Sequence, residues 1–359
     1  MQLMRSQQCQ RHCNSSSSRT PAAAPRAAAA SARSRQRQTP VPRVAAPQAP
    51  QLLSSLEENG VGAAGTTGVL LVQCPDAKGV VAALAQLLFG FNCNILQSDQ
   101  FSDETIAPSR FFQRIHFDFK DISVGTGNLA VLETAVADLA KRYQMDWKIS
   151  YRTQRKRMAL LVSKMDHCLF DLLIRQRSGE LHCDIPVVIS NHPDLGHVAG
   201  MFGVDFEHLG VRRDIDKVAA KQQQEAAIQR VLEEANVDLI VLARYMQIFS
   251  EEFCEKNWGR TINIHHSFLP AFEGAKPYHR AHERGVKIIG ATAHYATSEL
   301  DAGPIIEQDI TRITHRDSVQ DMVRKGRDLE RLVLARAVRW HVNDRVLVTP
   351  TGRTVVWQD

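Results

Sequence analysis

The sequence lacks long hydrophobic runs, since its longest apolar stretches, such as Val237–Ala243, have the length of a single strand. A membrane-spanning helix needs about 20 consecutive apolar residues, so we expect neither a span nor a membrane partner. The hydrophobic content of 44% and the charged content of 23% are typical of a soluble globular protein. A chain of 359 residues has room for two domains.

Acidic residues are absent from the first 56 positions, which contain eight arginines and are rich in Ala, Ser, Gln and Pro. The whole chain has a formal net charge of +5, so the remainder carries −3 and does not favour a nucleic acid as partner. We expect residues 1–64 to be a disordered leader, because this composition cannot bury enough apolar surface. It is typical of a transit peptide, and a plain disordered tail is the alternative. We therefore expect a mitochondrial location, with the plastid as the alternative organelle.

Patterns that hold metals or nucleotides are also scarce. The seven cysteines are an odd number at irregular spacings, which favours a reducing compartment over a disulfide framework. His265 and His266 are adjacent, so on a strand they point to opposite faces and make a poor chelating pair. No glycine-rich turn stands at Lys164–Cys168, where a dinucleotide fold would hold a phosphate.

The segment 65–151 predicts a ferredoxin-like α+β sandwich. Apolar residues recur with the period of strands or of helices, in the order strand, helix, strand, strand, helix, strand. The predicted elements are Thr67–Cys74, Val80–Phe89, Asn94–Phe101, Phe111–Phe119, Asn128–Tyr143 and a short strand near Trp147–Tyr151.

Residues 152–157 are charged and polar and predict a linker, after which 158–359 alternates apolar strands with helices. This alternation predicts a Rossmann-like, mostly parallel, doubly wound sheet, which binds ligands at the carboxyl ends of its strands. The predicted strands are Arg157–Ser163, Ile185–Ser190, Asp238–Ala243, Thr261–His265 and Ile288–His294. The predicted helices are Cys168–Arg177, Leu195–Met201, Asp214–Asn236 and Ser318–Val342.

The strand Thr261–His265 carries the densest chemistry. Strand alternation puts Asn263 and His265 on one face. An amide N–H beside an imidazole suits a carbonyl under attack, because the amide stabilises the developing oxyanion and the imidazole transfers a proton. Asp301 follows a later strand on a loop, where its carboxylate could hold that imidazole or orient water. The alternative is that a histidine at a strand end is only a structural hydrogen-bonding group.

Three segments in the second half of the chain resemble the formyltetrahydrofolate deformylase family of folate-dependent enzymes. They are Asn263–Phe272, Gly285–Tyr295 and Asp301–Ile306. In the first half, Cys74–Val80 and Asn94-Ile95 resemble an ACT regulatory domain. The resemblance covers residues 65–359 in the order that this family has: the ACT domain at 65–151, the linker at 152–157 and the formyltransferase-like catalytic domain at 158–359.

The resemblance implies hydrolysis of 10-formyltetrahydrofolate to tetrahydrofolate and formate, a step of one-carbon metabolism connected with purine biosynthesis. It implies that Asn263 donates to the formyl oxygen, that His265 protonates the leaving nitrogen, and that Asp301 holds His265 and positions water. No metal, bound cofactor or covalent intermediate is expected, because the folate is the substrate. The family places the pterin against a segment that corresponds here to Tyr245, Met246, Gln247, Ile248 and Phe249.

The resemblance leaves two alternatives for the activity: formyl transfer to an amine, and folate binding without catalysis. Water is favoured as acceptor because Lys164–Cys168 replaces the glycine-rich phosphate loop of glycinamide ribonucleotide formyltransferases, and because His266 stands where transferases commonly have a small residue. The ACT resemblance implies either an amino-acid effector near Asp76, Gly79 and Asn94, or a domain that only drives assembly. In both cases we expect a homo-oligomer.

Overall fold

The computed structural model describes residues 65–211, 214, 216–271 and 277–358. The predicted leader and transit peptide at 1–64 lie outside the described residues. Within the described part, no helix combines the length and the apolar character that crossing a membrane requires. Two main sheets organise the described residues.

The first sheet is antiparallel, with the strand order β2-β3-β1-β4, and two helices pack on one of its faces. This is the predicted ferredoxin-like arrangement, which is confirmed. Short apolar side chains such as Leu70, Val72 and Ile115 face α1 and α2 in one buried cluster. The elements are β1 (Thr67–Pro75), α1 (Val80–Gly90), β2 (Asn94–Asp103), β3 (Arg110–Asp118), a 3-10 turn (Thr126–Asn128), α2 (Leu129–Tyr143) and β4 (Asp146–Tyr151).

The second sheet has the order β11-β10-β9-β8-β5-β6-β7. The strands from β7 to β9 are parallel, whereas β10 is antiparallel to both of its neighbours. The strands are β5 (Lys156–Val162), β6 (Cys183–Ser190), β7 (Asp205–His208), β8 (Leu239–Leu242), β9 (Thr261–His265), β10 (Ile288–Tyr295) and β11 (Ile305–Arg312). The helices are α3 (His167–Arg177), α4 (Gly196–Phe202), α5 (Lys217–Glu234), α6 (Glu251–Lys256), α7 (Pro277–Arg284) and α8 (Val319–Val342), with a 3-10 turn at Pro193–Leu195 and a terminal hairpin of β12 (Val346–Val348) and β13 (Thr354–Val356).

Helices cover both faces of this sheet. α3, α4 and α8 bury one face, and α5 and α6 bury the other. Such cover demands apolar side chains on both sides of each central strand, and Met158–Val162 is buried throughout. A fully buried side chain of this size contributes roughly 1.5–3 kcal/mol. The predicted mostly parallel, doubly wound sheet is therefore confirmed, although β5 begins at Lys156, inside the predicted linker.

The buried Arg114 links the two sheets. This side chain of β3 is 1% exposed and donates from Nε to the carbonyl oxygen of Asp344, just after α8, at 3.0 Å. Beside it, Val69, Leu71 and Phe112 pack against Trp357. The first sheet thus rests on the end of the long helix that also borders the candidate site.

Candidate active site

Two neighbouring strands of the second sheet, β9 and β10, place three polar side chains close together: Asn263, His265 and His294. Asn263 of β9 lies directly opposite His294 of β10, and His265 lies opposite Thr292. Opposed residues of an antiparallel pair have their Cβ atoms about 4.5–5.5 Å apart. The antiparallel register therefore brings Asn263 and His294 into contact, with Nδ2 of Asn263 at 3.1 Å from Nε2 of His294.

The loop after β10 brings Asp301 to these histidines. The loop doubles back so closely that the backbone N–H of Tyr295 donates to the carbonyl of Pro304 at 2.9 Å. A Cβ at Gly303 would lie 1.7 Å from the carbonyl oxygen of Tyr295, so only glycine permits this approach. Asp301, at φ 58°, then places Oδ1 3.0 Å from Nδ1 of His265 and 3.9 Å from Nε2 of His294.

The environment keeps Asp301 ionised. Burial by itself raises the pKa of this carboxyl group, but the hydrogen bond with His265 and the electrostatic interactions with His265, His294 and His266 outweigh burial and leave the pKa below its ordinary value. Burial also lowers the pKa of His294, which favours its neutral ring.

Hydrogen-bond partners fix the tautomer of His294. Its Nδ1 lies 2.9 Å from the carbonyl oxygen of Tyr295, which can only accept, so Nδ1 carries the proton. The neutral ring must then accept at Nε2, and Asn263 must present its NH2 group there. One N–H of Asn263 is thereby occupied, and the second N–H remains for a ligand.

His265 has one occupied and one open nitrogen. Its Nδ1 faces Asp301, and its buried Nε2 has no partner among the described residues. The structure therefore brings together all three residues that were predicted to be catalytic, and it adds His294. An orienting carboxylate, an imidazole with one open nitrogen and an amide donor are the groups that proton transfer to a polarised carbonyl requires.

His266 belongs to a different group of side chains. Its ring packs near Tyr278, with centroids 5.9 Å apart, on the far side of the ring of His265. Burial, aided by the charge of Arg244, lowers the pKa of His266 to about 4. The ring is therefore neutral near pH 7.

The predicted folate segment follows β8, next to β9 in the sheet. Tyr245 and Phe249 are buried, with their rings stacked at 5.5 Å, whereas Met246, Gln247 and Ile248 are exposed. The backbone N–H of Met246 donates to Oγ of Ser163 at 3.1 Å, which fixes the start of the loop. The three exposed residues form a surface that includes the thioether of Met246 and the aliphatic chain of Ile248.

A second buried carboxylate, Glu330 of α8, lies at the same edge of the sheet and is 2% exposed. Its Oε2 lies 2.9 Å from Nε2 of His167 and 3.4 Å from Nε of Arg244, and its Oε1 accepts from the Tyr278 hydroxyl at 2.9 Å. A Cβ at Gly326 would lie 1.9 Å from that hydroxyl, so glycine allows Tyr278 to reach the helix. Burial raises the pKa of Glu330, but the contacts with His167, Arg244 and Tyr278 outweigh it and lower the pKa.

Among the described residues, His167, Cys168 and Glu330 bring ligand atoms within 4.8 Å of one another, as a metal site would. Burial, and then the charge of Glu330, raise the pKa of the Cys168 thiol well above its ordinary value, so it stays protonated near pH 7. Arg244 already offsets the charge of Glu330. These three residues therefore fit a metal poorly, and the absence of a metal stays a prediction.

The predicted effector residues do not meet within one chain. Asp76 and Gly79 follow the end of β1 that pairs with Arg110, whereas Asn94 pairs with Asp118 at the opposite end of the sheet. Eight residues of β3 separate the two ends, which is roughly 26 Å at the rise of a strand. A single effector could contact all three residues only if a second copy of the chain contributed some of them.

Sequence reasoning missed His294, Arg244 and Glu330. The sequence did contain a signal for His294, because this histidine is the last residue of the predicted strand Ile288–His294. That strand pairs with β9, and His294 lies opposite Asn263. Glu330 had no comparable signal, because it is 163 residues from its partner His167 and lies inside a long amphipathic helix.

Comparisons with known proteins agree with this fold and site. Residues 156–338 match the family model described as formyl transferase. A formyltetrahydrofolate deformylase from Synechocystis is 51% identical over 81% of this chain and 98% of its own length, and one from Bacillus subtilis is 46% identical over 81% and 93%. The crystal structure of a formyltetrahydrofolate deformylase from Pseudomonas syringae pv. tomato matches with a TM-score of 0.76 and 44% identity, over 81% of this chain and 94% of that one.

These relatives contradict the predicted location. All three come from bacteria, which have neither mitochondria nor plastids, and nothing in the comparisons supports an organelle. The prediction of a mitochondrial location, with the plastid as alternative, is wrong, because it relied on composition alone. Identity above 50% across nearly the whole of a relative, together with the matching fold, settles the family. The chain belongs to the formyltetrahydrofolate deformylase family.

Proposed function

We propose that the chain hydrolyses 10-formyltetrahydrofolate to tetrahydrofolate and formate, with Asn263, His265 and Asp301 as catalytic residues. The relatives are named as deformylases of formyltetrahydrofolate. One observation carries the assignment of the residues: Asp301 contacts Nδ1 of His265 at 3.0 Å, and the buried Nε2 of the same ring lacks a partner among the described residues.

The reaction begins with the attack of water on the formyl carbon. Water gives one proton to Nε2 of His265, and Asp301 stabilises the imidazolium that forms. The formyl oxygen gains negative charge and accepts a hydrogen bond from the second N–H of Asn263. His265 then donates its proton to N10 of the folate as the carbon–nitrogen bond breaks. Formic acid leaves and loses its proton to solvent.

His294 acts in this scheme as a positioning residue. It accepts a hydrogen bond from Asn263 and thereby holds the amide with its NH2 group towards the formyl oxygen. Without that acceptor the amide could rotate by half a turn and present its own oxygen, which would repel the developing charge. A hydrogen bond that fixes the oxyanion donor before the reaction lowers the activation barrier more than one that forms during the reaction, because the donor then needs no reorganisation.

Water remains the preferred acceptor over an amine. The names of the relatives favour neither formyl transfer nor folate binding without catalysis. At the carboxyl end of β5, α3 begins at His167, and His167 is tied to Glu330 across the sheet edge. This cross-link occupies the place of a phosphate-binding turn, which supports the hydrolase assignment.

We also propose that the segment Tyr245–Phe249 lies against the pterin. Met246 and Ile248 are each 59% exposed and supply the apolar surface that an aromatic ring system prefers. The rings of Tyr245 and Phe249 stack inside the core and hold the segment in place. The segment adjoins β9, where Leu242 of β8 pairs with Asn263.

For the first domain we propose an ACT-type regulatory role in a homo-oligomer, with Asp76 and Gly79 of one copy and Asn94 of another around an amino acid. The separation of these residues within one chain supports a shared site. Sedimentation at several concentrations, with and without each common amino acid, tests this proposal. A chain that stays monomeric throughout would contradict it.

The catalytic assignment is tested by formate release from purified Asn263→Ala and His265→Ala variants. We expect each to lose about a thousandfold in kcat, because the oxyanion donor or the proton carrier is gone. Folate binding should change only a few-fold. His282→Ala, which removes an exposed histidine of α7, is the matched control and should keep full activity. Full activity in either site variant would overturn the assignment.

A further inference from the structure

A cavity that the hydrolysis does not use lies beside the catalytic residues. It has a volume of about 170 Å³, and its lining includes His167, Arg244, His266, Tyr278, Arg327 and Glu330. His266 separates it from the catalytic group, since its ring centroid lies 5.1 Å from that of His265. The cavity therefore begins one side chain away from the imidazole that transfers the proton.

The charged groups of this cavity favour one monovalent anion. Arg244 and Arg327 supply two positive charges, and Glu330 supplies one negative charge. Both oxygens of Glu330 are already engaged, one by Tyr278 and the other by His167. The two arginines and the glutamate together carry a net charge of +1, which one monoanion would neutralise. A cation would meet excess positive charge, and a dianion would reverse the sign.

Arg244 lines this cavity in a conformation that is energetically unfavourable for its side chain and its backbone. Its side chain is 13% exposed, and its buried Nε has no hydrogen bond among the described residues, the nearest acceptor being Glu330 at 3.4 Å. A buried donor without an acceptor destabilises the folded chain. Its backbone also lies in the left-handed region at φ 65°, which is unfavourable for an arginine. Strain and unmet donors at one residue are typical of a ligand site.

Arg327 offers further donors. Arg327 forms no ion pair with any described residue. By contrast, Arg324 and Arg331, one turn away on either side, pair with Asp321 and Asp328.

We propose that this cavity binds a small carboxylate, and that its occupant is the formate released by the reaction; the identity of the occupant rests on the proposed function. The planar carboxylate matches the fork of guanidinium donors on Arg244 and Arg327. Pockets for drug-sized ligands occupy about 300–1,000 Å³, so a cavity of about 170 Å³ suits an anion of a few atoms and not the folate.

An outer cavity gives this anion a route to solvent. It has a volume of about 440 Å³ and shares His167, His279, Val323 and Arg327 with the inner cavity. Arg327 lines both cavities, so its guanidinium can accompany a carboxylate outward. Formate formed at His265 would thus leave through the outer cavity.

Proton NMR saturation transfer with sodium formate and the purified full chain, without folate, tests this proposal. We expect saturable binding that acetate displaces and chloride does not. Arg327→Gln should weaken formate binding about tenfold, because a charge-assisted pair is lost, and Arg327→Lys should recover part of it. Arg336→Gln makes the same charge change farther along α8, outside both cavities, where the arginine is paired with Asp309 at 2.9 Å, and should leave the affinity unchanged. Thermal melting of each variant confirms folding.

Each outcome bears on the proposal separately from the hydrolysis. Absence of saturable formate binding, or equal affinity in Arg327→Gln and the unaltered chain, overturns the cavity assignment even if formate release is observed. Displacement by chloride as effective as by acetate also overturns it, because the site would then select charge and not a carboxylate. Saturable binding that depends on Arg327 supports the cavity even if formate release fails.

Discussion

Two buried carboxylates border the site, and they differ in how their oxygens are engaged. Asp301 and Glu330 each contact a histidine at 2.9–3.0 Å, and each has its pKa lowered by its partners in spite of burial. Glu330 lies inside a helix, with both oxygens engaged by residues from three other segments. Asp301 lies on a tight loop and contacts its two histidines, His265 and His294, through Oδ1.

The difference separates a catalytic carboxylate from a carboxylate that holds the fold. A saturated cluster such as that of Glu330 resists change, because removing one member leaves a buried charge uncompensated. A carboxylate that is engaged through one oxygen contributes less to stability, and the imidazole that it orients can transfer a proton. Matched substitutions of the two carboxylates by their amides should therefore separate activity from stability.

The largest effect is expected for Asp301→Asn. The amide cannot stabilise the imidazolium of His265 and favours the wrong tautomer, so kcat should fall about a thousandfold, or about 4 kcal/mol. The free energy of unfolding should change by no more than about 1 kcal/mol. Steady-state formate release and urea unfolding give the two numbers, and a variant that keeps most of its activity would remove Asp301 from catalysis.

Glu330→Gln should show the reverse pattern. The charge of Arg244 loses its buried counter-ion, so the free energy of unfolding should fall by about 3 kcal/mol. The rate should stay within about tenfold, because Glu330 contacts no catalytic group. The same two measurements apply. A thousandfold loss of kcat with unchanged stability would erase the distinction between the two carboxylates.

His294→Gln should have a smaller effect on catalysis. The substituted amide retains a hydrogen bond to Asn263 but not the fixed acceptor geometry, so kcat should fall about tenfold while KM for the folate stays nearly constant. A change confined to KM would indicate that His294 serves binding and not the orientation of Asn263.

The smallest effect concerns pH. Burial lowers the pKa of His294 in the folded chain. The imidazole of His294 therefore binds a proton near pH 6.5 in the unfolded chain but stays neutral at that pH in the folded chain. The stability that depends on the neutral ring is thus complete above about pH 6.5 and is lost as the pH falls towards the folded pKa. The free energy of unfolding, measured with urea between pH 7.5 and 5, gives a slope against pH. This slope should be shallower in His294→Gln than in the unaltered chain, by at most about 1.4 kcal/mol per pH unit. Parallel curves would show that His294 titrates normally in the folded chain.

The sequence predicted elements with strong apolar patterns and missed polar ones. β9 was predicted from Thr261 to His265, as observed, because its apolar residues are bounded by clear breaks. β7 and β11 were missed, because Asp205–His208 and Ile305–Arg312 are largely polar edge segments. Their strand conformation comes from pairing with β6 and β10, which local patterns do not record.

The same limit applies to the site. Asn263 and His265 share a short strand, so their proximity follows from alternation. Asp301 could be suspected because it follows a strand. The contacts of His294 with Asn263, and of Glu330 with His167, depend on the register of β10 and on the packing of α8. Long-range geometry of this kind requires the folded structure.

Hydrolysis in water enriched in oxygen-18 tests the central claim most directly. If water is the acceptor, formate produced from 10-formyltetrahydrofolate in buffer without amines should carry an oxygen atom from the solvent, and Asn263→Ala and His265→Ala should produce almost none. Formate without solvent oxygen, or formyl release only when an amine is supplied, would contradict the hydrolase assignment.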